Sequence, residues 1–167
     1  MSHALLSANE LSLSYGSQKL LEAVTLAVAP GEKVGLVGRN GCGKTSLLKI
    51  LSAEHAPDGG EVSRRRGLRI GYLPQEFELD GNRTVRENIE AGAADVVGWI
   101  DQYENGDDTG NDHADLLELI EHADGWNLET RIKVDATALD APDLDLPVGP
   151  LSGGEKRRVA LCRALVS

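Results

Sequence analysis

The chain has 167 residues, of which 41% are hydrophobic and 26% charged, a composition typical of one soluble globular domain with room for an attached lobe. Its formal net charge of −10 excludes a protein that coats nucleic acid or an anionic membrane over its whole surface. The charge is uneven, because residues 76–150 hold 20 acidic and 4 basic side chains, whereas the rest of the chain holds 7 acidic and 13 basic ones. A local anion site in the basic part is therefore compatible with the overall acidity.

The first 28 residues have the pattern of two strands. Residues 4–15 alternate between apolar and polar side chains up to Gly16, and residues 18–28 read as more strand. Tyr15 closes the first of these strands. It is either a half-buried strand aromatic, which its residue type alone favours, or a surface on which a purine ring stacks.

A glycine-rich stretch then separates the apolar residues 34–37 from a helical pattern that continues through residues 46–51. The stretch fits G-x-x-x-x-G-K-[ST], and its members, with the residue that follows, are Gly38, Arg39, Asn40, Gly41, Cys42, Gly43, Lys44, Thr45 and Ser46. In the order strand, loop, helix, this spacing predicts a phosphate loop in which backbone N–H groups surround a triphosphate. Lys44 is the predicted cation for the outer phosphates, and the Thr45 hydroxyl is the predicted ligand of Mg²⁺. The alternative is a glycine-rich loop that binds nothing.

The two cysteines, Cys42 and Cys162, have neither metal-ligand spacing nor the pattern of a disulfide framework. No secretory segment follows Met1, and no apolar run reaches about 18 residues. These features predict a cytoplasmic location without direct membrane insertion. Cys42 is either a reactive thiol beside a lysine and a helix start or simply a small residue that the loop requires.

The next segment is predicted to contain a hairpin and a loop. Residues 61–63 and 68–73 are the expected strands, joined around three arginines at positions 64–66. These arginines belong either to a solvated turn or to a contact with an anionic surface. Gln75 then begins a loop.

The acidic part of the chain is predicted to be helical. Thr84 and Glu87 have the spacing of a capping box, and helical patterns follow at residues 93–102, 115–123 and, more weakly, 125–139. The Asn-, Gly- and Asp-rich residues 103–112 are expected to form an exposed connector.

A proline-containing loop leads to a second glycine-containing turn. Ser152, Gly153 and Gly154 precede an arginine-rich helical pattern, and such a turn offers a hydroxyl and unpaired N–H groups to an anion. By itself, this turn would also suit an ordinary helix cap.

Together, the phosphate loop, the Gln75 loop and the Leu-Ser-Gly-Gly-Glu stretch at residues 151–155 resemble the ATP-binding cassette (ABC) ATPases over residues 4–167. The amino-acid sequences of residues 35–41, 71–76 and 149–155 resemble the corresponding motifs of the ABC-F proteins, including the Uup-like branch. The ABC-F proteins are soluble tandem-cassette ATPases that act on translation.

The resemblance implies an α/β P-loop NTPase fold with an antiparallel β subdomain and a helical subdomain. Residues 1–83 would form the β subdomain and P-loop core, residues 84–150 an acidic helical subdomain or arm, and residues 151–167 the signature motif with its helix. The acidity of the middle segment disfavours a simple RNA-clasping arm, since phosphate contacts need Lys and Arg.

The resemblance also implies functional roles. Tyr15 would stack on adenine, residues 38–46 would hold the phosphates of ATP and Mg²⁺, and Gln75 would approach the metal and the attacking water. The glycine turn at residues 152–154 would contact the γ-phosphate of ATP bound to a second cassette, in the same longer polypeptide or in a dimer. The ribosome or its RNA is the implied partner of the full-length protein.

The family pattern continues with a Walker B strand that ends in Asp-Glu, and the sequence to Ser167 does not contain it. Residues 96–101 also run from apolar to acidic, but they are not this strand. They precede the signature motif, and Asp101 is followed by Gln102 instead of Glu. We therefore expect a truncated cassette that binds nucleotide weakly and hydrolyses little, because phosphoryl transfer depends on metal-held charge. The alternatives are a nucleotide-binding subunit of a membrane transporter, which shares these motifs, and a non-catalytic ATP-binding or interaction fragment.

Overall fold

Residues 4–106 and 111–167 are described by the structure, a computed structural model. The chain divides into two units, Met1–Tyr72 and Leu73–Ser167. The first carries the phosphate loop, and the second carries Gln75 and the signature turn.

The first unit is built on an antiparallel sheet. Strands β1 (Leu6–Tyr15), β2 (Gln18–Val28) and β3 (Gly59–Arg64) are ordered β2-β1-β3. Both predicted N-terminal strands are confirmed. The alternating apolar side chains of β1 pack with those of β2 and of helix α1 (Lys44–Leu51), and the buried set is Ala8, Leu11, Leu13, Leu21, Leu47 and Ile50. The sheet therefore supports α1, whose first turn forms the end of the phosphate loop.

Arg64 has a structural role in this unit. Its Nη2 donates hydrogen bonds to the carbonyl oxygens of Ile50 (2.9 Å) and Leu51 (3.1 Å), at the C-terminal end of α1. A guanidinium at this position satisfies carbonyls that have no intrahelical donor and suits the negative end of the helix dipole. Arg64 is thus neither part of a solvated turn nor a contact for an anionic surface. Arg65 and Arg66 are exposed.

Two predicted strands are not present in the structure. Residues 34–37 and 68–73 have no assigned secondary structure, so the expected strand before the phosphate loop and the expected hairpin are both wrong. The side chains of Val34 and Val37 are 62% and 91% exposed. A strand requires a ladder partner, and among the described residues neither segment pairs with another strand.

The second unit is helical. Its helices are α2 (Val85–Glu90), α3 (Ala94–Asn105), α4 (Asn111–His122), α5 (Leu128–Ala138) and α6 (Gly153–Val166), with short 3₁₀ turns at Ala91–Ala93 and Gly125–Asn127. The core consists of apolar side chains from α2, α3, α5 and α6, among them Val85, Ile89, Val96, Ile132, Val159 and Val166. All the predicted helices are confirmed. The predicted connector at residues 103–112 is wrong at its ends, since residues 103–105 belong to α3 and residues 111–112 to α4. Residues 107–110 lie outside the described residues.

The capping box at the start of α2 is present. The Thr84 hydroxyl oxygen accepts a hydrogen bond from the Glu87 backbone N–H (3.2 Å), and the Thr84 N–H donates to the Glu87 carboxylate (2.7 Å). The box gives α2 a defined beginning, next to the buried Asn88, whose amide bonds to the backbone of Asp80 and Thr84.

The loop before α6 is held by backbone hydrogen bonds to the segment that precedes α2. Val85 N–H donates to the Leu146 carbonyl (2.9 Å), Val148 N–H to the Arg83 carbonyl (3.0 Å), and Gly149 N–H to the Gly81 carbonyl (3.0 Å). These bonds determine where the chain enters the signature turn. Within the two described ranges, no helix is both long and apolar enough to cross a membrane.

Candidate functional site

The phosphate loop ends at an uncapped helix. Gly43 is the N-cap of α1, with φ 90°, and no side chain caps the helix. The first backbone N–H groups of any α-helix have no intrahelical acceptor, and here they belong to Lys44, Thr45 and Ser46. They lie at the positive end of the helix dipole, an arrangement that favours an anion.

Close packing explains two of the loop glycines. A Cβ at Gly43 would lie 2.8 Å from the Leu20 carbonyl oxygen, so glycine lets the loop pack against β2. A Cβ at Gly38 would lie 2.7 Å from the Cys42 sulfur. Both contacts lie below the separation that real Cβ atoms tolerate. At Gly43 the neighbour is backbone, so a side chain would displace the loop, whereas at Gly38 the Cys42 side chain would have to turn away.

The Lys44 ammonium lies inside the loop. Its Nζ donates to the carbonyl oxygens of Gly38 and Arg39, both at 2.7 Å, and lies 3.8 Å from the Cys42 sulfur. The cation is therefore held among the loop's backbone groups and next to the helix N-terminus. A phosphate in the loop would receive both the backbone N–H groups and this charge.

The donor set also fits magnesium. Thr45 follows Lys44 in the first turn of α1 and is exposed, as its predicted role requires. In the part of the chain that the structure describes, no group of His, Cys, Asp or Glu could hold a metal by itself. Mg²⁺ is commonly bound by one or two protein oxygens together with phosphates and waters, so a single hydroxyl beside a phosphate site suits it.

Tyr15 lies in the same unit as the phosphate loop. It is 68% exposed and pairs with Gln18 at the turn from β1 to β2. Leu20, which contacts Gly43, is two residues beyond Gln18, a distance of roughly 7 Å along a strand. An exposed ring so close to the loop is suited to stacking on a base whose phosphates occupy the loop.

The signature turn caps α6. The Ser152 hydroxyl oxygen accepts from the Glu155 N–H (3.3 Å), and the Glu155 carboxylate accepts from the Ser152 hydroxyl (2.6 Å) and backbone N–H (2.8 Å). Gly153 and Gly154 are exposed, and a Cβ at either would meet nothing within 4 Å. The turn is therefore open on one side, with its serine hydroxyl oriented by Glu155.

We expect Glu155→Gln to reduce the loss of stability on acidification. The Ser152 hydroxyl and backbone hydrogen bonds lower the pKa of the Glu155 carboxyl below its ordinary value of 4.5. A lowered folded-state pKa stabilises the fold above about pH 4.5, and that contribution is lost as the pH falls through the folded-state pKa. Urea unfolding midpoints at neutral and acidic pH should therefore differ less in the variant than in the parent. An equal difference in both proteins would show that this carboxylate does not contribute.

Gln75 lies in the second unit, exposed and in a bend between residues without regular structure. The signature turn lies in that unit too, whereas Tyr15 and residues 38–46 lie in the first. The structure thus groups the predicted adenine and phosphate contacts in one unit and the remaining predicted site residues in the other.

Sequence reasoning missed two residues that position α6. The Arg163 guanidinium donates to the Glu78 carbonyl oxygen (2.9 Å), which ties α6 to the segment just after Gln75. Gly92 allows the turn Ala91–Ala93 to approach the Arg163 backbone. No local pattern marks either residue, since both contacts join distant parts of the chain.

A glycine loop that ends at an uncapped helix N-terminus and holds a lysine ammonium defines a P-loop nucleotide-binding protein. Comparison with known proteins agrees, because the profile of the ABC transporter family matches residues 21–167. The chain belongs to this family of ATP-binding domains, which confirms the resemblance to ABC ATPases and the P-loop fold class.

Known relatives match almost the whole chain. It is 36% identical to the energy-dependent translational throttle protein EttA of Mycobacterium tuberculosis (strain ATCC 25618 / H37Rv), over 100% of this chain and 32% of that protein. Identity to EttA of Escherichia coli (strain K12) is 38%, over 88% of this chain and 28% of that protein. The chain thus spans about a third of the length of these relatives.

A solved structure shares the fold. An ATP-binding subunit of an ABC transporter superposes with a TM-score of 0.68 at 24% identity, over 97% of this chain and 62% of that subunit. At this identity, the likeness supports the fold alone.

Proposed function

We propose that this chain is the nucleotide-binding part of an ABC-F-type ATPase that acts on translation. The observation that carries the proposal is the 36% identity along the entire chain to a protein named for energy-dependent throttling of translation. The phosphate loop supplies the energy-dependent element, since its lysine and uncapped helix suit a nucleoside triphosphate.

In this proposal, residues 38–46 bind the phosphates of ATP, Thr45 contributes to Mg²⁺ binding, and Tyr15 stacks on adenine. Bound Mg²⁺ supplies charge neutralisation for the phosphates. Gln75 orients the attacking water. The geometric support is the open helix N-terminus at Lys44 and the exposed Tyr15 ring at the β1–β2 turn.

The signature turn is proposed to serve another ATP molecule. Gly153 and Gly154 face open space at the start of α6, so a γ-phosphate presented by a second cassette could reach their N–H groups. The exposed Ser152 hydroxyl would join them by turning from the Glu155 carboxylate, to which it now donates. That cassette belongs to the same longer polypeptide or to a dimer partner.

The proposed partner is the ribosome in the cytoplasm, and nucleotide-dependent pelleting with ribosomes tests this. The full-length protein is centrifuged with purified ribosomes through a sucrose cushion, in the presence of either a non-hydrolysable ATP analogue or ADP. We expect pelleting that is about tenfold greater with the ATP analogue, since two closed cassettes would present one surface and open ones another.

The control is the variant Lys44→Ala, which should pellet equally with both nucleotides. A parent protein that binds ATP but never pellets with ribosomes would contradict a role in translation. If it instead co-purifies with a membrane protein, the transporter-subunit alternative is correct.

A further inference from the structure

A cavity in the helical unit has no part in the proposed nucleotide chemistry. It has a volume of about 500 Å³ and lies between α2, α3 and α5. Apolar side chains of α3 and α5 line its floor, including Ile100 and Ile132. Trp126 forms part of its wall and is 47% exposed. Tryptophan is enriched among the residues that dominate binding energies, so one exposed at the edge of a cavity is a candidate contact residue.

The indole of Trp126 contacts the aromatic ring of Tyr103. Tyr103 meets it edge-on, with ring centroids 5.5 Å apart and an interplanar angle of 74°. The other contact of Tyr103 is a stacked arrangement with His113, at 4.0 Å and 23°. Tyr103, itself stacked on His113, therefore restrains the Trp126 ring, which reduces the entropy lost when a ligand stacks on it.

Two carboxylates in the cavity lining are available to a ligand, because the nearby cations pair with other acidic residues. Arg86 lies 3.5 Å from the Glu129 carboxylate and 3.7 Å from that of Asp145, and Lys133 lies 2.9 Å from Glu129. The remaining lining carboxylates, Glu90 and Glu104, have no ion pair among the residues that the structure describes.

The environment of Glu90 also favours the binding of a cation. Partial burial raises the pKa of the Glu90 carboxyl above its ordinary value, with the charge of Arg86 acting in the opposite direction. A carboxylate that has lost part of its hydration gains more from an incoming cation than a fully solvated one does.

We propose that this cavity binds an arginine or lysine side chain of a basic protein segment. The face of Trp126 attracts a cation through its ring quadrupole, and Glu90 and Glu104 provide the opposite charge. RNA is disfavoured, because residues 76–150 carry 20 acidic and 4 basic side chains, which would repel phosphates. The inference does not depend on ATP binding and so can fail or succeed separately from the proposed function.

The test measures binding of a short synthetic peptide of alternating arginine and glycine to the full chain by calorimetry. The double variant Glu90→Gln/Glu104→Gln is expected to bind about tenfold more weakly, and Trp126→Ala about fivefold more weakly. Trp126→Phe should retain most of the affinity, because it keeps an aromatic face. The part of the peptide-induced fluorescence change that comes from Trp126 should disappear in Trp126→Phe, which retains Trp99 as the remaining tryptophan. If Trp126→Ala does not fold, the glutamine pair and the phenylalanine variant decide the outcome.

The matched control is Glu118→Gln/Glu121→Gln on α4, which removes the same charge from exposed positions outside the cavity lining. This control should bind the peptide as the parent does. Equal weakening in both glutamine pairs would show general attraction to an acidic surface and overturn the proposal. So would unchanged affinity in the Glu90/Glu104 pair, or displacement of the peptide from the cavity by an RNA oligonucleotide.

Discussion

Replacing Lys44 with alanine is expected to weaken ATP binding about 100-fold. The Lys44 ammonium is held inside the phosphate loop, 2.7 Å from the carbonyl oxygens of Gly38 and Arg39. Hydrogen bonds from a charged donor contribute roughly 1.5–3 kcal/mol each, and about 2.7 kcal/mol corresponds to a 100-fold change in affinity. Titration with a fluorescent ATP analogue gives the affinity.

Cys42 provides a readout that is specific to the loop. It is exposed, whereas Cys162 is buried, so a maleimide should label Cys42 first. Burial also raises the pKa of the Cys162 thiol, which lowers its reactivity further. ATP with Mg²⁺ should protect Cys42 in the parent and not in Lys44→Ala.

The matched control is Lys49→Ala, which removes the same charge from an exposed position in the last turn of α1. It should leave both ATP affinity and Cys42 protection close to those of the parent. If the two lysine variants lost affinity equally, the effect would come from the net charge of α1 and not from the loop.

Replacing Gly92 with alanine is expected to destabilise the helical unit by about 3 kcal/mol. A Cβ at this position would overlap the Arg163 carbonyl oxygen and lie 2.8 Å from Arg163 Cγ. Relief would require the turn Ala91–Ala93 to move away from α6, on which buried residues of α2 also pack. Urea denaturation followed by far-ultraviolet circular dichroism measures the change in the free energy of unfolding.

The control is Gly98→Ala, which adds the same methyl group where there is space for it. Gly98 lies within α3, and a Cβ there would meet nothing within 4 Å. Alanine is a better helix former than glycine by about 0.5–1 kcal/mol, so this variant should be more stable than the parent. A destabilised Gly98→Ala, or an unaffected Gly92→Ala, would contradict the packing described here.

The structure agrees with the sequence-based predictions that rest on patterns among neighbouring residues. Helix α1 begins at Lys44, as the glycine spacing predicts, and α2 begins at the capping box of Thr84 and Glu87. Alternation in β1 and periodicity in the helices also predicted their positions, since these signals depend on neighbours within a few residues.

The predictions that were wrong concern contacts between segments that are far apart in the sequence. Residues 34–37 have the apolar character of a strand, but pairing requires a partner that no described residue provides. The hairpin predicted around the arginines is absent because residues 68–73 form no ladder with β3, whose partner in the described sheet is β1. Arg64 bonds to the end of α1, a contact that composition alone could not distinguish from a solvated turn.

The sequence by itself determined the class of this protein, because a phosphate loop requires glycines, a lysine and a hydroxyl at set spacing within one short stretch, followed by a helix. Only the tertiary structure decided what lies around that loop and in the acidic segment. Tyr103, His113 and Trp126 belong to α3, α4 and the turn before α5, and they meet because those elements pack together. Such a cluster depends on how separate elements pack against one another, which the pattern within any one element does not encode.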